Sequence, residues 1–478
     1  MRSWILNKRS LALVLFLFIA APTSYLALKV YQYNTYIWMP DYFLNSQANK
    51  IDNIRNGHVL FLIADHHEPG RGERGSRISR AWCEGYKSNI EGIYDDFGKP
   101  VQYTWFYPYD HLNLGVIFNL NELVFEGLGE VEFQWHHGPD TNETFPPKLA
   151  KAVSWFNSHG CMLPVGLNPK PQFGFVHGNS ALDNSDGNPN HCGVNRELDI
   201  LKQCGCYADL TFSVLGTLAQ PAKVNSIYYA KDTDEPKSYN NGVDVKVGSS
   251  NSGLMIFEGP ICCDWHDRIW DCAALETTSP IKPHRIKLWL KFAPIVKGRP
   301  EWLFVKVHAH GVQSKSLILS QQFRGMFFQL KKVCKDKGLS LHFITAREAF
   351  NIVKAAEKGL KGNPEAYRDY LLRKPINRVM TVPCRIKNVV VSEARIDFEL
   401  FEPKNMGFSF KIGPVRSIKG FLKRYRGEVT ESGRYLITLE GDGIVEICSK
   451  EPVEFKNEVI SCATNEFEEY VYRVDCNS

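Results

Sequence analysis

The sequence predicts a parallel α/β barrel followed by a small antiparallel β unit. Three observations point there. Strand-like and helix-like stretches alternate over residues 56–360, the pattern of βαβ units feeding a parallel sheet. Several of those strand-like stretches close on His or Asp, as expected of strands whose carboxyl ends share one active face. Beyond residue 380 the texture changes to period-two alternation with turn residues between, which reads as antiparallel strands.

The amino end comes first. Residues 1–10 carry Arg2, Lys8 and Arg9, and Leu11 to Leu28 is almost wholly apolar over 18 residues, interrupted by Pro22, Thr23 and Ser24. That length is close to what a bilayer crossing needs. Positive charge precedes it and only Lys29 follows closely, so the amino end should stay cytoplasmic. Tyr31, Tyr33, Tyr36 and Trp38 then form an interfacial aromatic group. No A-x-A-like cleavage site follows, so residues 1–30 are expected to remain as a transmembrane signal-anchor. The rest of a single-pass membrane protein would then lie on the non-cytoplasmic side.

The barrel is expected over residues 50–375. Its leading stretch is HVLFLIADHHEPG, His58 to Gly70. Val59 to Ala64 is a continuous apolar run of strand length, suited to a strand buried on both faces. It ends on Asp65, His66, His67 and Glu68, then turns at Pro69 and Gly70. Val101 to Phe106 is a second strand, and Asn121 to Gly127 the end of a helix. Val131 to Trp135 is a third strand, running directly into His136, His137, Gly138, Pro139 and Asp140. Lys148 to Phe156 has helical spacing of its apolar residues, with Gly160 as a stop. Phe173 to Val176 is a strand that ends in His177, Gly178 and Asn179, and Val194 to Gln203 is a helix. Tyr207–Phe212, Val224–Ala230, Leu254–Phe257 and Ile286–Phe292 are expected as further strands. Trp302 to Val307 is the last strong one, closing on His308, Ala309, His310 and Gly311. A helix from Gln321 stops at Gly338, Leu341–Ile344 follows as a strand, and Thr345 with Glu348 forms a capping box for the next helix. In the small β-rich unit, 380–478, Ile396, Phe398 and Leu400 alternate, as do Phe408, Phe410 and Ile412.

Composition narrows the class. With 44% hydrophobic and 23% charged residues the chain is ordinary for a globular protein. A net charge of +5 and the absence of a basic run argue against nucleic acid as a partner. Aromatic content is high, with 20 Tyr and 10 Trp, which suits stacking on sugar rings and suits an aromatic core equally. Thirteen Cys is an odd number, so at least one thiol is unpaired in a monomer. Cys204-Gly205-Cys206 and the adjacent Cys262 and Cys263 lack structural-zinc spacing, and buried thiols are expected.

Chemistry gathers at the strand ends. Asp65, His136 and Asp140 are the expected metal ligands, with His137 as the alternative to one of them. Imidazole and carboxylate from two strand ends can hold Zn²⁺ and leave a position for water, which becomes a nucleophile near neutral pH. His136 and Asp140 are four apart and face one direction if the chain turns helical there. His177 and Asn179, around Gly178, are expected to bind substrate. His308 and His310 fall on the same side of an extended strand and are general-acid candidates.

This set resembles the polysaccharide deacetylase superfamily, whose catalytic domain is a distorted (β/α) barrel. Its members place a metal-binding Asp after the first strand, a His-x-x-x-His pair after a later one, and a catalytic His after a late strand. Here Asp65 matches the metal Asp, His136 the first His of the pair, and His308 or His310 the late His. Asp140 stands where the second His would fall. The family's adjacent Asp, which serves as base, is replaced by Ala64, so Glu68 or His66 takes that role. FVHGN, NSIYYA and VKVHAHG are similar to stretches in deacetylase-like proteins of bacterial surface-polysaccharide loci. The resemblance spans residues 56–345. It implies a zinc-dependent hydrolase that removes N-acetyl groups from a surface polysaccharide. The rivals are a glycoside hydrolase on a related barrel, with Asp65 and Glu68 among its carboxylates, and a non-catalytic glycan-binding protein. A DHH phosphoesterase would need a D-x-D cluster on an earlier strand, and upstream lie only the membrane segment and the short stretch that joins it to the first strand.

Overall fold

The computed structural model describes residues 24–45, 54–158 and 171–372, apart from 26, 55 and 268, and beyond 379 the strands alone. The centre is a mostly parallel ten-stranded sheet, compatible with an α/β barrel. Strand β1 (Gly57–His66) is buried along nearly all its length. It pairs in parallel with β11 (Trp302–Ala309), from His58↔Trp302 to Asp65↔Ala309. Its other edge is shared. β12 (Leu339–Phe343) takes Gly57 to Phe61, and β2 (Tyr103–Pro108) takes Ala64 to His66. The sheet continues in parallel through β3 (Gly129–Trp135), β4 (Phe173–His177), β5 (Cys206–Asp209) and β8 (Leu254–Glu258). β6 (Ser226–Ala230) and β7 (Gly242–Asp244) add an antiparallel edge, and β9 (Cys262–Asp264) and β10 (Ile269–Asp271) form a separate antiparallel pair.

Both faces are covered, which explains the unbroken apolar run in β1. Val59, Phe61 and Ile63 join an outer core with Trp82 and Tyr86 of the helix Gly72–Ile90. Leu60, Leu62 and Ala64 join an inner core with Phe106, Val176, Leu210, Phe257 and Phe304. The helix Ala346–Glu357 packs on that inner core, and its Thr345–Glu348 capping box is present as expected. The buried Lys306 ammonium on β11 donates to the carbonyls of Leu210, Phe212 and Phe257. Those carbonyls follow β5 or lie on β8, so the sheet curls to bring β11 towards them. Burial holds Lys306 down, to about 8.

Two expectations are corrected. Ile286–Phe292 is not a strand. It lies in and just after the helix Pro283–Lys291, which buries Arg285, Ile286, Trp289 and Leu290 with helical spacing behind a first-turn proline. The strand expected over Tyr207–Phe212 ends earlier, at Asp209.

Leu11 to Leu28, expected to cross a bilayer, lies for its greater part outside the described residues. Among the described residues no helix is long and apolar enough to cross a membrane. The short helix Met39–Leu44 docks on the main body, with Trp38 and Tyr42 edge-on to Trp270 at 4.7 and 5.0 Å. Among the described cysteines, Cys83, Cys192, Cys206, Cys262, Cys263, Cys272 and Cys334 are free thiols. After residue 379 the strands are all antiparallel. Val379–Pro383, Gly407–Ile412, Ile444–Ser449, Tyr470–Asp475 and Ser461–Thr464 form one sheet. Arg385–Ser392, Arg395–Phe401, Tyr435–Glu440 and Arg424–Val429 form a second.

Candidate active site at the carboxyl edge of the sheet

Register decides which polar side chains meet. Asp65 on β1 is level with Ala309 on β11, so the next residues, His66 and His310, are neighbours, with ring centroids 4.5 Å apart. His66 shares the inner side with Leu62 and Ala64. Beyond β11, the segment Ala273–Leu275 bonds to both backbone groups of His308, which delivers Glu276 to His310. Glu276 Oε1 accepts the His310 backbone N–H at 2.8 Å and lies 2.9 Å from its Nδ1. Ser314 Oγ donates to the other carboxylate oxygen of Glu276. On the far side, Pro108 of β2 is level with Gln134 of β3, so Asp110 comes to rest beside His136. Asp110 Oδ1 accepts the His136 backbone N–H and lies 3.1 Å from Nδ1. His136 Nε2 is 3.3 Å from Glu68 Oε1. Gln134 lies between, bonding Glu68 and approaching His66 Nδ1 at 3.3 Å.

The result is a continuous polar chain: Glu276, His310, His66, Gln134, Glu68, His136, Asp110. Gln134 and His66 at its middle are buried and the rest is half-buried, with His310 the most open side chain of its ion pairs, 43% exposed. Electrostatics divides the members. Burial works against ionisation of Glu68, but the bond from His136 outweighs it and brings the carboxyl to about 2. Burial likewise opposes charge on His136, yet Asp110 and Glu68 on either side raise it to about 9. Burial, with His310 beside it, holds His66 down to about 3. The bond to Glu276 raises His310 above its ordinary value of 6.5. Burial, helped by Lys306, lowers His308 to about 4. His310 is thus the ring held by one hydrogen-bonded carboxylate, Glu276, with Nε2 as its other nitrogen.

The expected metal ligands are not brought together. Asp65 faces the outer side with Ile63. Its Oδ1 accepts the Gly311 N–H, and its Oδ2 lies 3.4 Å from His67 Nδ1. His136 faces inward, between Glu68 and Asp110. Residues 136–140 are not helical, so His136 and Asp140 do not share a face. Asp140 pairs instead with Lys148, accepts from Thr144 at 3.0 Å, and approaches His137 Nδ1 at 3.4 Å. Among the described residues, Asp65, His136 and Asp140 form no group within reach of one ion. The substrate-binding expectation shifts as well. His177 is fully buried and faces outward with Phe175, while Asn179 Nδ2 donates to the His191 carbonyl.

Three described groups could hold a metal ion: His137, His177, Cys192 and Glu197; Asp95, His342 and Glu365; Asp264, Asp267 and His284. The first is buried throughout. Glu197 Oε1 lies 2.9 Å from His137 Nε2, and Cys192 Sγ lies 3.2 Å from Glu197 Oε2. Burial holds His177 neutral, lowering it to about 3. Burial opposes charge on Glu197, but His177 and His137 keep its carboxyl below the ordinary range.

Glu197, Cys192, Asp110 and Glu276 were not singled out from the sequence. Glu197 opens a helix, Cys192 and Glu276 sit in loops, and Asp110 follows a strand in a short turn. No spacing links them to the histidines they serve. A cavity of about 540 Å³, lined by Asn56, His58, Glu301 and Asn363 among others, lies at the opposite, amino ends of β1 and β11, where such folds keep stability and not chemistry. No family model matches the chain, and no curated protein matches its sequence.

Proposed function

We propose that the chain is a hydrolase that removes N-acetyl groups from a surface polysaccharide, with His310 as the group that moves the proton. The observation that carries this reading is the Glu276–His310 pair at the carboxyl edge, 2.9 Å between Oε1 and Nδ1. A carboxylate on one ring nitrogen fixes the imidazole's orientation and stabilises its protonated form, leaving the other nitrogen for the reacting atoms. His310 Nε2 accepts a proton from water as that water attacks the acetyl carbonyl. It returns the proton to the amine as the C–N bond breaks, giving acetate and a free amino sugar. His66 stays neutral beside it. Glu68 and His136, fixed by Gln134 and Asp110, form the opposite wall.

Glycoside hydrolysis needs two carboxyl groups free to act on the sugar. Glu68 is engaged by His136, Gln134 and Gln313, and Asp65 faces away, so this geometry favours acyl transfer to water. The resemblance to polysaccharide deacetylases and the wealth of Tyr and Trp support a glycan substrate. The cofactor of this reading is a divalent metal, zinc, held beside the edge and not on it. On this reading the apolar stretch within residues 1–30 serves as an anchor and the reaction proceeds on the non-cytoplasmic side. The test is acetate release from N-acetylated polysaccharide by the full chain, with Glu276→Gln as comparison. Release that is lost in the variant supports the reading. Reducing ends without acetate would assign a glycoside hydrolase, and glycan binding with neither product a binding protein.

A further inference from the structure

We infer that His137, His177, Cys192 and Glu197 form a closed zinc site that holds the loops after β3 and β4 together. The inference does not rest on the hydrolase reading, since the ion would be bound whatever the edge does. The donor set is the first argument. Two imidazoles, one thiol and one carboxylate are zinc ligands by type, and four of them leave no open position. Their ligand atoms all lie within 4.8 Å of one another. Zinc–ligand bonds near 2.0–2.3 Å put neighbouring ligand atoms roughly 3.3–3.8 Å apart. Glu197 Oε1 lies 2.9 Å from His137 and 3.9 Å from His177, and its Oε2 lies 3.2 Å from Cys192, separations that bracket that spacing.

The second argument is an orphan. His177 is 0% exposed, and neither of its ring nitrogens has a hydrogen-bond partner. A buried polar group without a partner is costly, and a network of hydrogen bonds alone leaves this ring unsatisfied. An ion on one nitrogen satisfies that nitrogen. An outer partner is also in place. Glu197 Oε2 accepts the Asp183 backbone N–H at 2.7 Å, and the Asp140 carboxylate stands 3.4 Å from His137 Nδ1, which has no hydrogen bond of its own. Carboxylates and backbone groups behind the ligands are what orient a metal site.

The other two groups are already answered by protein cations. Lys282 lies 2.7 Å from both carboxylate oxygens of Asp267. Arg368 pairs with Asp95 and Glu365. Near His137 and Glu197, Lys148 goes to Asp140, and Arg196 to Asp199 and Asp234.

The site has a structural consequence. His137 follows His136, and His177 precedes Gly178, against which the His136 ring is packed. An ion joining His137 to His177 therefore fixes both segments that place His136.

The test is elemental analysis of the full chain, purified without a histidine tag or added metal. About one zinc per chain is expected, falling several-fold in Cys192→Ser and His177→Ala. Replacement by cobalt should give a thiolate-to-cobalt charge-transfer band that Cys192→Ser abolishes. Should the variants fail to fold, the wild-type zinc content and cobalt spectrum still decide. Folded wild type with no stoichiometric metal, or a cobalt spectrum without thiolate character, overturns the inference.

Discussion

The carboxylate of Asp65 accepts the backbone N–H of Gly311, one residue past His310. Trp82 Nε1 donates to the Gly311 carbonyl at 2.8 Å, so the turn after β11 is held from both sides. Asp65 is on this account a positioning residue for His310. Asp65→Ala leaves a buried N–H unpaired and should cost about 1–3 kcal/mol of stability. Acetate release should fall while zinc content stays at the wild-type level. Zinc lost together with Asp65, in a protein that remains folded, would restore Asp65 as a ligand.

Gly178 tests the packing of His136. A Cβ there would stand 2.4 Å from His136 Cδ2 and 2.6 Å from Nε2. The ring cannot give way without leaving Asp110 or Glu68. Gly178→Ala should cost about 1–3 kcal/mol and lower activity, read by urea denaturation and acetate release. Wild-type values in both would show that the ring is free to move.

The Glu276–His310 pair gives a pH dependence with a definite sign. Burial opposes charge on Glu276, but His310 holds its carboxyl below the ordinary 4.5. His310 is raised above 6.5. The histidine's contribution is fully present below pH 6.5, its unfolded value, and is lost as pH rises through the higher folded value. The carboxylate's contribution is present above its unfolded value and is lost as pH falls through the lower folded one. The stability difference between wild type and Glu276→Gln should therefore be greatest between pH 4.5 and 6.5 and shrink above that window. A difference that grows from neutral to alkaline pH would contradict the pairing.

Arg347 tests the inner core. It is 1% exposed and pairs with Glu130 at 2.8 Å and Asp369 at 2.6 Å. Arg347→Ala takes the cation away from the buried Glu130 carboxylate, which keeps the Thr345 hydroxyl, and should cost about 3–5 kcal/mol in chemical denaturation. A cost below about 1 kcal/mol would place Glu130 in water.

How much of this was legible follows from the strands. The run Val59–Ala64 marks β1, and the clusters after it mark the carboxyl edge. Which side each residue faces was not legible, because β1 is apolar on both faces and period two carries no inward sign. Asp65 and His66 therefore looked equivalent, as did His136 and His137, yet one of each pair faces inward and the other outward. The capping box at Thr345 was legible because its spacing is local. Glu276 and Glu197 were not, because each reaches its histidine only through tertiary contact, 34 and 60 residues away in sequence.

The measurement that bears most directly on the account is acetate release by the full chain and by its His310→Asn variant, at matched zinc content. N-acetylated polysaccharide is the substrate, and acetate and new reducing ends are both followed. Acetate should appear without reducing ends, and the variant should lose roughly 10²–10⁴-fold of the rate while remaining folded. Acetate release that survives His310→Asn, or reducing ends in place of acetate, would contradict the account.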